Sequence, residues 1–273
     1  MSVADVKYKE LIRLIHKEGD WDRDEPCDVR AKYADGSPAY SKGVFGVQIK
    51  FNEGELPLLT CKKVFTKTAI NEMICIWVKQ TNVIQDFRDM GVNAWNEWEL
   101  PDGTMGLSYG AQLQKGNKNQ VDELLNNIME NWTSRRLMTS FWDFENVDKK
   151  SLQECAWATN WRVRQGKLDL ILISRSSDVG LGLVWNWFQY SVLQHVIAHV
   201  SGLDVGTFTH QIGDAHYYDR HEDILLKQLD LPEYDEPHLY IRENLRDFYD
   251  LKAEDVEVVN YKHGDYLKME IAI

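Results

Sequence analysis

The stretch VWNWFQYSVLQHVIAHVSG, residues 184–202, constrains the fold more than any other part of the chain. It is long enough for several helical turns and is apolar nearly all round, and Gly202 is a stop signal at its end. A helix without a polar face has to be covered on every side by other elements. The sequence therefore predicts a large fold in which this helix is deeply buried.

The segments around this helix show the patterns of both strands and helices. Strands are predicted at 44–51, 135–142, 155–164, 167–177 and 206–218, with a hairpin turn at Gln165-Gly166. Further helices are predicted at 4–18, 66–80 and 120–132. Because hairpins and helices are mixed without a regular βαβ alternation, we expect an α+β fold, with a large mixed β-sheet backed by helices. The scattered prolines and the lack of a linker predict a single domain over 1–273.

The charge balance limits the classes of partner. A net charge of -12 over 273 residues repels nucleic acid and anionic lipid, which argues against a polynucleotide or membrane-surface partner. It still allows a local arginine pocket for a small anion. No apolar run approaches a membrane span, and the first twenty residues read as a charged amphipathic helix, so a cytoplasmic protein is expected.

The four cysteines form no C-x-x-C pair, which argues against a zinc site: Cys27, Cys61, Cys75 and Cys155. In a reducing compartment all four should be free thiols. Cys155 opens a predicted strand, directly after two polar residues. Two interpretations are open for it, a small buried apolar group and a nucleophile.

Glu72 lies within the apolar helix predicted at 66–80. A buried carboxylate is costly unless it is paired or protonated. The helix could instead turn Glu72 toward solvent. The functional interpretation is a carboxyl group with a raised pKa that manages protons or holds water in a cleft.

Two clusters combine arginine with serine at the ends of predicted strands, SRR at 134–136 and SRSSD at 174–178. Arginine forks with hydroxyl donors make a phosphate site, whereas solvated surface arginines are the alternative. The loop that follows contains Asp178 and leads to Asn186, whose amide suits an imide-like ring edge. Asp178 could equally be an N-terminal cap of a helix or of a turn. In HYYDRH, 216–221, the residue types favour hydrogen bonding by His216 and Tyr218 over metal ligation.

Taken together, these residues resemble the thymidylate synthase family, most closely the dimeric enzymes of Bacillus type. The resemblance covers essentially the whole chain and includes DVR at 28–30, WNEW at 95–98, YG at 109–110, SRR at 134–136, Cys155, RSSD…LGL…N from 175 to 186, GDAHYYDRH at 213–221 and the ending NYKHGDYLKMEIAI. It implies an α+β homodimer with its sheets packed back to back. It also implies the reductive methylation of dUMP by 5,10-methylenetetrahydrofolate, as co-substrate, to dTMP and dihydrofolate, without a metal.

The resemblance implies a role for each matching residue. Cys155 would add as a thiolate to C6 of the uracil ring, which makes C5 a carbon nucleophile, and Arg175 beside it would favour the thiolate. Glu72 would organise water and proton transfer, and Tyr109 would help to remove the C5 proton. The phosphate, base and sugar of dUMP would be held by Arg30, Arg175, Ser176, Asn186, His216 and Tyr218, with Arg135 and Arg136 supplied by the other subunit. The folate would be held by Asp178, which binds the pterin and also serves catalysis, and enclosed by Trp95, Leu181, Gly182, Trp185 and, in the C-terminal tail, Ala272.

The sequence departs from the family pattern at five positions. Ala156 follows the nucleophile where the family usually has His, Asp143 stands for Asn, Asn96 for Asp, and Val184-Trp185 for Pro-Phe. Several of these positions touch the water network around the substrates. Deoxynucleotide hydroxymethylases share the nucleophile and the methylene transfer but let water add at the last step. A dUMP hydroxymethylase and a binding protein without turnover are therefore the alternatives.

Overall fold

The computed structural model describes residues 2–26, 28–115 and 117–273. The strands in the described residues are β1 (Asp20–Trp21), β2 (Ser41–Phe51), β3 (Gln114–Lys115), β4 (Lys118–Asn119), β5 (Met138–Ser140), β6 (Ala156–Arg164), β7 (Lys167–Asp178), β8 (Asp204–Tyr218), β9 (His238–Ile241) and β10 (Val256–Val259). Six of them form one sheet in the order β1-β2-β8-β7-β6-β5. The β7–β8 pair is parallel and the other neighbours are antiparallel, so the predicted large mixed sheet is confirmed.

The α-helices in the described residues are α1 (Val3–Glu18), α2 (Thr66–Met73), α3 (Ile84–Asp89), α4 (Gly110–Leu113), α5 (Gln120–Glu130), α6 (Gly182–Val200) and α7 (Glu222–Gln228). The long interior helix predicted at 184–202 is α6, which connects the parallel strands β7 and β8. Trp187 and Phe188 of α6 are fully buried, and the Trp187 ring meets Phe51 of β2 edge-on at 5.0 Å. Burying a side chain of this size contributes about 1.5–3 kcal/mol to folding, so α6 ties the sheet to the rest of the core.

The predicted hairpin between β6 and β7 is present at Gln165-Gly166. Both residues have positive φ, 52° and 73°, and Arg164 pairs with Lys167 across the turn. Two consecutive left-handed residues match the right-handed twist of the flanking strands. This turn sets the register of β6 and β7, and with it the position of Cys155 opposite the far end of β7.

Two predicted elements differ from the structure. The strand predicted at 135–142 is reduced to β5, because 131–136 turn back on themselves through backbone bonds and the Ser134 hydroxyl, which accepts the Arg136 N–H. The helix predicted at 66–80 changes after α2 into a π-helical segment, Ile74–Val78, where Lys79 N–H reaches back five residues to Ile74 O. Wider turns of this kind are frequent near functional sites.

One hydrophobic core cluster includes residues from both ends of the chain, from Ala4 of α1 to Met269. Among the described helices, none combines the length and the apolar character needed to cross a membrane.

Candidate active site

Cys155 lies immediately before β6, one residue outside the strand predicted to contain it, and its side chain is a half-buried free thiol. The antiparallel pairing of β6 with β7 brings it beside Arg175 and Ser176, whose Nη2 and Oγ are each 3.7 Å from Sγ. The Arg175 guanidinium is fixed by the carbonyls of Gln153 and Glu154, at 2.9 and 3.1 Å. A positive charge and a hydroxyl donor directed at sulfur stabilise a thiolate.

Tyr109 contacts the same loop from the opposite side. Its hydroxyl accepts the backbone N–H of Cys155 at 3.4 Å, and its own N–H donates to Glu154 Oε1 at 3.2 Å. Its φ of 41° is uncommon for a residue with a side chain and carries strain that the surroundings must hold. Burial, and next the nearby Cys155, raise the pKa of the Tyr109 phenol well above its ordinary value. The phenol is therefore neutral at physiological pH.

Gly110 explains why the backbone can turn in this way after Tyr109. A Cβ atom at Gly110 would lie 2.5 Å from the carbonyl oxygen of Thr81, closer than side chains tolerate. Glycine at position 110 is thus required by the packing of α4 against the chain after the π-helical segment.

Glu72 is buried in α2, so the interpretation in which it faces solvent is wrong. Its Oε1 accepts the indole N–H of Trp95 at 2.7 Å, and its Oε2 accepts the indole N–H of Trp185. Burial raises the pKa of Glu72, while the hydrogen bonds from Trp185, Trp95 and Gln189 oppose the rise. The Trp95 ring also meets Tyr109 at 5.1 Å, which links this carboxylate to the Cys155 cluster.

Asp178 and His216 are register partners at the ends of the parallel strands β7 and β8. Asp178 accepts the N–H of Gly180 at 2.8 Å and so caps a turn in the loop that leads into α6, whereas α6 itself begins at Gly182 without a side-chain cap. His216 Nδ1 lies 2.7 Å from Asp214, and its ring stands edge-on to Tyr218 at 5.4 Å. Burial lowers the pKa of His216, but the Asp214 bond and the Asp178 charge outweigh it, so the net pKa is raised.

Several predicted site residues make no internal polar side-chain contact. In the described part of the chain, no side-chain hydrogen bond or ion pair is formed by Arg30, Arg135, Arg136 or Asn186. Asn186 is half-buried in the first turn of α6, next to Trp185, whereas the three arginines are exposed. All four keep their full hydrogen-bonding capacity for a ligand or another chain.

The last residues of the sequence close one side of the region. Ile273 and Lys32 exchange two backbone hydrogen bonds of 2.8 Å, and Glu270 bonds to Arg220 at 2.7 Å through its carboxylate. The Glu270 carbonyl also lies 2.7 Å from His221 Nε2. This arrangement places Ala272 beside the chain segment that follows Arg30. Leu181 and Gly182 lie at the start of α6, after the Asp178 loop.

A family model described as thymidylate synthase matches residues 6–273. The chain belongs to the thymidylate synthase family. Thymidylate synthases of Bacillus mojavensis and of Bacillus phage phi3T are each 41% identical to it over 281 aligned residues, which cover 100% of both chains. The solved structure of thermostable thymidylate synthase A from Bacillus subtilis superposes with a TM-score of 0.93 at 41% identity, and covers 99% of each chain.

Two of the departures from the thymidylate synthase pattern form separate contacts. Asp143 pairs with Lys115 at 3.3 Å and bonds Asn146 at 2.9 Å, the latter being the main reason that its pKa is lowered to about 2. Asn96 instead accepts a hydrogen bond from Arg88 at 2.9 Å. The two positions therefore belong to different local clusters, and the described residues show no contact through which Asp143 and Asn96 could compensate for each other.

The sequence did not predict one feature next to Cys155, the buried ion pair of Lys150 and Glu154. Lys150 Nζ lies 2.8 Å from Glu154 Oε2, with side chains 1% and 0% exposed. The signal was present, since a charged residue directly before the cysteine needs a partner if the cysteine loop is buried. Within the described residues, no group of three or more His, Cys, Asp or Glu side chains is placed to hold a metal.

Proposed function

We propose that this thymidylate synthase family member converts dUMP and 5,10-methylenetetrahydrofolate to dTMP and dihydrofolate, with Cys155 as the nucleophile. The observation that carries the proposal is the position of the Cys155 thiol, 3.7 Å from both Arg175 and Ser176 and bonded through its backbone to Tyr109. A cysteine held against a guanidinium is built to react as a thiolate.

In the proposed reaction the Cys155 thiolate adds to C6 of the uracil ring, and C5 becomes nucleophilic and bonds to the one-carbon unit. The bound folate supplies that carbon and, at the last step, a hydride. Tyr109, neutral and hydrogen-bonded beside Cys155, would help to remove the C5 proton. Glu72 holds a carboxylate in the same region for water and proton transfer. Loss of the C5 proton would be coupled to cleavage of the bond between the one-carbon unit and the folate nitrogen. Addition of the hydride to that carbon would then expel the Cys155 thiolate from C6 and complete the methyl group.

Substrate binding uses groups that are free or preset in the structure. Arg30, Arg175 and Ser176 would bind the phosphate, and the unpaired amide of Asn186 would match the N3-H and C4=O edge of uracil. His216, oriented by Asp214, would bind the sugar hydroxyl together with Tyr218.

The folate would lie between the loop that leads into α6 and the Glu72 region. Asp178 would bind the pterin, and the walls would be Trp95, Leu181, Gly182, Trp185 and Ala272. These residues fit an aromatic, polar-edged ligand, because two indoles and a carboxylate converge there.

We also propose that the active form is a homodimer and that residues 1–273 act as one domain. Arg135 and Arg136 are exposed and lack partners in the described chain, as expected of arginines that complete a neighbouring subunit's phosphate site. Large apolar side chains are exposed on β2 and β5 as well, namely Phe45 and Met138. An isologous interface would cover such groups and supply both arginines in return.

Subunit complementation tests the shared site. A Cys155→Ala chain and an Arg135→Ala/Arg136→Ala chain should each be inactive alone, and mixing them under exchange conditions should restore about a quarter of the wild-type rate, because one site in half of the dimers is intact. If mixing restores nothing although heterodimers form, each site is confined to one subunit.

One assay tests the reaction itself. Purified protein is mixed with dUMP and 5,10-methylenetetrahydrofolate, and dihydrofolate absorbance is followed together with product mass. Dihydrofolate that forms in step with dTMP supports hydride transfer. A product heavier by one oxygen, with the folate left as tetrahydrofolate, would identify a hydroxymethylase instead. Binding of dUMP without loss of its C5 proton would identify a binding protein.

The proposed setting is the cytoplasm, without a nucleic-acid or membrane partner. The net charge of -12 disfavours both kinds of polyanionic partner. Cys61, Cys75 and Cys155 are free thiols, which fits a reducing compartment.

A further inference from the structure

We infer that Trp185 is a positioning residue for Glu72, and that its indole N–H, beyond any contact of its ring with folate, holds this carboxylate in place. The inference rests on the proposed function, because it concerns the residue assigned to proton transfer there. Trp185 stands where the thymidylate synthase pattern usually has Phe, a ring without a hydrogen-bond donor.

Each carboxylate oxygen of Glu72 accepts a hydrogen bond from a different indole N–H. Trp95, from the segment before the Asn96–Trp98 turn, donates to Oε1, and Trp185, from the first turn of α6, donates to Oε2. The two donors come from separate parts of the chain, 23 and 113 residues from Glu72. A carboxylate bonded at both oxygens cannot rotate about its terminal torsion without losing one bond or both.

The chemistry of the donors selects one protonation state. An indole N–H donates and never accepts, so a protonated Glu72 would face a donor with its own O–H and lose one of the two bonds. The two indoles thus favour the carboxylate, against the burial that favours the neutral acid. A buried carboxyl held between these opposing effects, with a net raised pKa, is suited to exchange protons.

The position of Trp185 in the sequence connects this effect to the substrate. Trp185 directly precedes Asn186, the proposed reader of the uracil edge, in the same helical turn. The amide of Asn186 and the Trp185 indole that holds Glu72 (the clamp) are therefore both fixed by α6. Loss of the clamp should impair the proton steps without weakening the binding of dUMP.

Two titratable groups that interact with Glu72 do not change charge in the relevant range. They are Cys75 in the π-helical segment and Tyr190 in α6. Burial raises the pKa of Cys75 to about 12 and the pKa of Tyr190 further, so both are neutral near pH 7. Glu72 is then the group in this cluster whose titration a change at Trp185 should move.

The test is Trp185→Phe, which keeps an aromatic ring and removes the N–H. We expect kcat to fall roughly tenfold to a hundredfold, as for loss of a hydrogen bond to a charged group, with the KM for folate and the Kd for dUMP nearly unchanged. Since the indole favours the carboxylate, the acid limb of the kcat profile should move to higher pH. Trp187→Phe is the matched control, because it removes an indole N–H of the same helix that bonds His210 at 3.2 Å, and it should leave the profile in place.

A second measurement uses the unsubstituted protein and does not depend on a folded variant. With 15N-labelled indoles, the Trp185 and Trp95 signals should shift together as Glu72 titrates, and the Trp187 signal should not. The inference would be overturned if Trp185→Phe kept the wild-type kcat and pH profile and only raised the KM for folate. It would also be overturned if the Trp185 indole signal did not shift during the titration of Glu72. Failure of the wild-type protein to form dTMP would instead count against the proposed function.

Discussion

Lys150 and Glu154 form an ion pair that is almost wholly excluded from water, directly beside the cysteine loop. Glu154 also accepts the backbone N–H of Tyr109, so this pair supports the strained turn that carries the phenol. Lys150 bonds both oxygens of Glu154, at 2.9 and 2.8 Å, which offsets part of the cost of burying the two charges.

Glu154→Gln should destabilise the protein because it leaves the Lys150 ammonium buried without a counter-charge. The expected loss is about 3–5 kcal/mol in the free energy of unfolding, read from urea denaturation at fixed protein concentration. Glu53→Gln is the matched control, since Glu53 pairs with Lys167 in solvent and its loss should change the free energy of unfolding far less. Equal losses in the two variants would contradict a stabilising role for the buried pair.

Cys155→Ala should abolish dTMP formation, because it removes the thiol that contacts Arg175 and Ser176. The variant should still bind dUMP, whose proposed phosphate and base contacts are intact. Cys61→Ala should keep most of the activity, since Cys61 is buried beside Asp5 and outside the proposed reaction path. Turnover by Cys155→Ala, followed by product mass, would exclude the covalent route.

Asp214→Asn should lower the pKa of His216, which an NMR titration of the imidazole would report. In the wild-type protein this pKa is raised above its ordinary value of 6.5. A raised pKa in the folded state contributes stability that is complete below the unfolded pKa and is lost as pH rises through the folded pKa. The variant should therefore lose stability mainly below about pH 6.5 and little at alkaline pH. A titration midpoint that does not move would show that Asp214 does not set the charge of His216.

Arg220→Ala should loosen residues 269–273, because Arg220 bridges Asp35 and Glu270 at 2.8 and 2.7 Å. The bridge is exposed to solvent and screened by it, so its contribution is small and the KM for folate should rise by no more than about fivefold. The KM for dUMP should change little. Added salt should reproduce part of the effect in the wild-type protein and have less effect on the variant.

The sequence predicted those parts of the fold that depend on interactions between residues close together in the chain. The apolar character of α6 and the turn at Gln165-Gly166 depend on neighbouring residues, and both are confirmed. The predicted length of β5 was too great, because its apolar residues do not indicate the turn formed by Asn131, Ser134 and Arg136. Edge strands such as β5 have one partner only, so their length depends on the loops that flank them.

The residues of the candidate site were predicted from the sequence, but the hydrogen bonds and ion pairs between them were not. The resemblance identified Glu72 and Trp185, but it gave no sign that they share a hydrogen bond, since they are 113 residues apart. Lys150 and Glu154 are four residues apart in a segment that is not an α-helix, where helical spacing rules do not apply. Contacts of this kind depend on the assembled core, which the order of residues does not reveal by itself.

The burial of α6 on all sides also has a consequence for the folding route. Because α6 connects the parallel strands β7 and β8, it can pack against the sheet only when these two strands have paired with each other. Until then a long apolar helix is exposed to other chains, and parallel pairing of this kind forms slowly. Spontaneous refolding should thus compete with aggregation, and its yield should fall as the chain concentration rises.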